Sequence, residues 1–146
     1  MSGIFELRSP ADLLAKLGRE LEHLRAEPND SDHAFNFFVT AEHMLDWKYP
    51  GMANRVQREA ERKTPLLQLV SHIASGAKHF DKLLDHHQSV ATTGLAMRHP
   101  SPMMRRFLPD QLTVVVTHGA AEVLGTSRIS VLALAEHVYA HWRARA

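Results

Sequence analysis

Residues 32–47, DHAFNFFVTAEHMLDW, decide the fold. Ala34, Phe35, Phe38, Ala41 and Leu45 recur along one helical face, and Phe37 and Met44 widen it. A helix this apolar around its circumference belongs at the centre of a bundle or at an oligomer interface. Opposite that face Asn36, Thr40, His43 and Trp47 form a stripe, at steps of four, three and four. Unpaired polar groups are costly away from water, so the stripe is expected to meet partners rather than solvent. Two readings stay open. Asn36, Thr40 and His43 satisfy one another's hydrogen bonds inside a core, or the stripe lines a groove or interface.

The flanking punctuation bounds this helix and its neighbours. Asp30, Ser31 or Asp32 caps it, and Tyr49-Pro50-Gly51 stops it, which predicts a second helix over roughly 32–48. Upstream, Ser9-Pro10-Ala11-Asp12 is a helix start: a cap, a proline at the first position and an acid at the positive end of the dipole. Leu13, Leu14, Leu17, Leu21 and Leu24 then make one stripe, so the first helix runs over roughly 10–26. A short polar helix is expected over Ala53–Lys63.

Thr64-Pro65 repeats the cap-then-proline device and begins a fourth helix, whose buried side reads Leu66, Val70, Ile73, Ala77, Phe80 and Leu84. Its opposite side carries His72, Ser75, His79 and His86. Residues 89–97, SVATTGLAM, have the small, β-branched character of a weak strand, and 98–109, RHPSPMMRRFLP, read as a loop. Residues 112–117, LTVVVT, are the best strand, and His118-Gly119 looks like its turn into Ala121–Leu124. Thr126 or Ser127 caps a last helix that buries Val131, Leu132, Ala135, Val138, Tyr139 and Trp142. The predicted fold is mainly α. Four to five helices form a bundle, with a small antiparallel β-meander inserted before the C-terminal helix, and residues 1–146 make one domain.

Composition narrows the function. The 146 residues are 45% apolar and 23% charged, with a net charge of +1, which offers no electrostatic case for nucleic acid or membrane. No cysteine is present, so disulfides, thiolate metal sites and a cysteine nucleophile are excluded. Residues 1–14 lack the basic region and apolar run of a signal peptide, and a cytoplasmic protein is expected. Eleven histidines make acid-dependent association a reading of its own, a pH-responsive assembly.

No metal site and no cofactor are expected. His72, His79 and His86 line one stripe, but imidazoles a heptad apart are separated by about 10 Å along the axis, too far to share an ion. His137 and His141 have a metal-compatible spacing without the HExxH context, and read as a solvated helix end. Glu20 and His23 echo the Glu-x-x-His pairs of di-metal bundles, with His23 off the leucine stripe. Phosphate-binding glycine loops and nucleophile elbows are absent. Arg98, His99, Arg105 and Arg106, interleaved with Met103, Met104 and Phe107, form a basic loop able to touch an anionic partner.

The segment DHAFNFFVTAEHMLDW, followed by LLQLVSHIASGAKHF at 66–80 and a late strand–turn–helix, resembles the HEPN-like helical proteins of bacteria. The resemblance covers roughly residues 31–80. It implies a helical bundle, a homodimer, and a place among RNA-cleaving toxins and defence factors. The family's ribonuclease motif is an arginine followed after a few residues by a histidine, and Lys78-His79 occupies its end. No histidine here has an arginine in that window. The resemblance therefore implies a non-catalytic module that binds RNA or a partner protein, with no membrane role. The enzymatic alternative is a metal-independent ribonuclease using His79, with His72, Ser75 or Lys78 nearby. The sharpest expectation is one groove shared by His43 and His79, also lined by Asn36, Thr40, Ser75 and Trp47.

Overall fold

Ser9 starts the first helix as its sequence dictates. Its Oγ accepts the Asp12 amide at 3.2 Å, while the Asp12 carboxylate accepts the Ser9 amide at 2.9 Å. The reciprocal box satisfies two backbone donors at the helix entry. Helix α1, Pro10–Ala26, then buries Leu13, Leu17, Leu21 and Leu24. The structure, a computed structural model, describes residues 4–78 and 89–146. Among these, α2 (Ser31–Lys48) follows with Asp30 as its cap, accepting the His33 amide at 2.9 Å. It packs against α1, α4 (Pro65–Lys78) and α7 (Val131–Arg143), and so is the central helix that its apolar circumference requires. A turn of 3-10 helix, Met52–Asn54, leads into α3, Arg55–Arg62.

The buried arc of α2 consists of Phe37, Phe38, Thr40, Ala41, Met44 and Leu45. It differs from the face predicted from sequence. Phe35 lies at the edge of the arc, three residues before Phe38, and is 47% exposed. Thr40 sits on the inner edge of the arc.

Three strands form the expected antiparallel meander before the last helix: β1 (Val90–Ala96), β2 (Gln111–Val116) and β3 (Arg128–Ser130), in that spatial order. Leu95 faces Leu112 and Thr93 faces Val114, with an irregularity between Val90 and Thr92. On the other side of β2, Val114 faces Ile129. The third strand lies later than predicted. Residues expected to form it belong instead to α6, His118–Leu124, where Ala, Glu and Leu favour a helix and Gly125, at φ 70°, ends it. The 98–109 loop also holds one helical turn, α5, Pro102–Arg105. The cap of α7 is Ser130, whose Oγ accepts the Ala133 amide at 3.1 Å, and not Thr126 or Ser127.

One core joins the layers. Leu17, Leu21, Phe37, Leu45, Leu69, Val114, Leu134 and Trp142 are almost fully excluded from water. Asn29, in the α1–α2 turn, clamps the sheet to the bundle. Its Nδ2 donates to the Asp110 carbonyl at 2.9 Å and its Oδ1 accepts the Leu112 amide at 2.8 Å. No helix among the described residues is long and apolar enough to cross a membrane.

Candidate functional site

Among the described residues, the members of the two polar stripes differ in burial. On α2, Asn36 and His43 are exposed, Trp47 is half-buried against the core, and Thr40 turns inward. The Thr40 hydroxyl accepts from Lys16 Nζ at 3.1 Å, and that ammonium also meets Glu20 at 2.5 Å. On α4 the expectation for His72 is corrected. It is 6% exposed, and its Nδ1 accepts the Ser89 amide at 3.1 Å. The cause is packing around α4, which touches α2, α3, α6, α7 and β1. Ser75 is half-buried. His79 lies outside the described residues, as does the side chain of Lys78, so the groove expected between His43 and His79 does too. A cavity of about 260 Å3 does separate α2 from α4 and the sheet, but its described walls are mainly apolar, with Phe35, Phe38, Ile73, Val90 and Leu112 beside the hydroxyls of Ser31 and Thr93. None of the predicted polar residues lines it.

His43 instead borders an ionic network that staples α3 to α2. Its Nδ1 lies 3.9 Å from Asp46, which is 3.3 Å from Arg58 and 3.5 Å from Arg62. Arg62 reaches Glu42 at 3.0 Å and Glu59 at 2.6 Å. Burial pushes the Glu42 carboxyl above its ordinary value, although Arg62 opposes the shift. Each acid here has a basic partner, so the arrangement fixes a helix and leaves no free base or nucleophile. Nor do the other sequence motifs assemble. His137 is exposed, while His141 is half-buried with Nδ1 3.0 Å from Arg145. His23 is exposed and 3.7 Å from Glu20.

Among the described residues, Glu27, Asp30 and His33 bring potential metal ligands within 4.8 Å of one another. Asp30 is committed to capping α2, and a helix N-terminus favours anions over cations. The cluster therefore reads as a capped corner.

A different surface is unusual. Among the described residues β1 pairs with β2 on one side only, and its other edge carries no strand. Its sequence, VATTGLA, has no charge and no proline, the usual guards of a free edge. Leu95 is 63% exposed and Met97 is 53% exposed. An open hollow next to this strand is lined by Leu95, Pro102, Arg105, Arg106 and Pro109, which joins the strand end to the α5 segment. Met103 and Phe107 of that segment are exposed as well. Arg105 is paired to Asp110 at 2.8 Å, whereas Arg98 and Arg106 have no carboxylate partner among the described residues. The basic, methionine-rich loop noted in the sequence is thus the connection from β1 to β2, at the end of the strand pair. Sequence reasoning missed the edge because strand order is a property of the sheet; the signal available was an uncharged VATTGLA beside that loop.

Comparison of the chain with models of protein families, with curated proteins and with solved structures yields no match.

Proposed function

We propose that this protein is a non-catalytic partner-binding module, of the HEPN-like kind that its second and fourth helices resemble, and that it forms a homodimer through β1. The single observation behind this reading is the unguarded edge of β1 with exposed Leu95 and Met97 at its end. An unpaired strand offers a row of backbone donors and acceptors to another strand. A second copy supplies the same strand, and antiparallel pairing about a two-fold axis makes each surface its own complement. Burial of Leu95 and Met97 from both copies adds the apolar contribution, and the unpaired Arg98 and Arg106 stand at the rim.

Light scattering on a sizing column tests it. The intact chain should elute as a dimer at tens of micromolar, and the double variant Leu95→Lys, Met97→Lys as a folded monomer. A monomeric parent removes the proposal. Incubation with structured and single-stranded RNA tests the word non-catalytic: cleavage lost on His79→Ala, with folding intact, would replace this reading with the ribonuclease. The same column run at about pH 5.5 and pH 7.5 tests the pH-responsive assembly, which predicts a change in oligomer size as imidazoles charge.

A further inference from the structure

A second cavity, of about 280 Å3, lies where the first turn of α1 meets the last turns of α2 and α7. Pro10, Leu14, Met44 and Trp142 wall it, and Lys48 and Arg145 contribute two cations. Three features mark this corner of the fold, two of them in the rings beside the cavity and the third in its cations. Trp142 is 1% exposed, yet its indole Nε1 is buried with no acceptor among the described residues. Its neighbour His141 also leaves Nε2 buried and unpartnered, with the two rings edge-on and 5.2 Å apart. Buried donors without partners are rare in folded proteins, because their water is lost and nothing replaces it.

The third feature is charge. Lys48 Nζ stands 5.9 Å from the centre of the Trp142 ring, and Arg145 spends its Nη1 on His141 Nδ1 and on the His141 carbonyl. Among the described residues neither cation pairs with a carboxylate. Glu61, whose charge reaches His141, accepts from the Tyr49 hydroxyl. Burial, followed by the charge of Arg145, holds the His141 imidazole below its ordinary value, so it adds no third cation near neutrality.

We propose that this cavity binds a small amphipathic carboxylate, with its apolar body against Leu14, Met44 and Trp142 and its anionic head on Lys48 and Arg145. The volume is nearly twice the ~150 Å3 that suffices for benzene in an apolar cavity, which suits an acid of about ten heavy atoms. This site lies away from the β1 edge and does not depend on the dimer.

Calorimetric titration of the full chain with octanoate, octanol and octylamine tests the assignment. Octanoate should bind saturably, one per chain and at least about tenfold tighter than octanol, with octylamine weaker still. Lys48→Met combined with Arg145→Met keeps apolar stems and removes both charges; octanoate should then fall to the affinity of octanol. No saturable heat with octanoate overturns the site. Equal binding of octanoate and octanol by the unaltered chain overturns the ligand class, and that comparison stands even where the double variant fails to fold.

Discussion

His72 accepts the Ser89 amide at 3.1 Å from a position 6% exposed, tying α4 to the start of β1. Removing the ring strands that amide, so His72→Ala is expected to cost about 1–3 kcal/mol in urea unfolding. His43 is 58% exposed at its side chain, and His43→Ala should change stability by no more than about 0.5 kcal/mol. Equal costs would show that the His72 bond does not hold the structure. Leu21 is fully buried in the core, and Leu21→Ala should cost about 2–5 kcal/mol by the same measurement. Glu42 carries a pH signature. Its folded pKa is raised by burial, so its contribution is fully present below the unfolded value and is lost as pH rises through the folded one. Glu42→Gln should therefore gain on the parent as pH climbs from about 4 to 7, as read by denaturant midpoints.

At the scale of elements, the caps set where helices begin. Ser9→Ala removes one half of a reciprocal box and should destabilise the protein by about 1 kcal/mol. Asp12 titrates in the opposite sense to Glu42. The Ser9 hydroxyl holds its carboxyl below the ordinary range, so its contribution is present above the unfolded pKa and is lost as pH falls through the folded one. The penalty of Asp12→Asn should accordingly be largest near neutrality and shrink towards about pH 3 in thermal melts. A penalty independent of pH would mean that the carboxylate's charge is irrelevant to the cap. The third strand illustrates how elements compete. Residues 118–124 take the helix that their propensity favours, and Arg128–Ser130 then fills the ladder position beside β2.

At the scale of the whole molecule, sheet and bundle meet at Asn29 and at the shared core, while the outer edge of β1 carries no strand among the described residues. A dimer built on that edge makes the melting temperature rise with protein concentration, because association stabilises the folded chain by mass action. For the Leu95→Lys, Met97→Lys variant the melting temperature should stay flat over the same range. A concentration-independent parent would agree with a monomer and count against β1 pairing.

The helical starts at Ser9-Pro10 and Thr64-Pro65, the stop at Tyr49-Pro50-Gly51, the leucine stripe of α1 and the central place of α2 follow from sequence alone. Each depends on residues within a few turns of one another, where backbone sterics, capping and the helical period act locally. The burial of His72, the inward turn of Thr40, the Asn29 clamp and the place of β1 at one side of the described sheet were settled only by tertiary packing. So was the indole of Trp142, buried without an acceptor among the described residues. Those features depend on which elements become neighbours, and a polar residue's spacing along a helix does not say whether water or another helix lies beyond it.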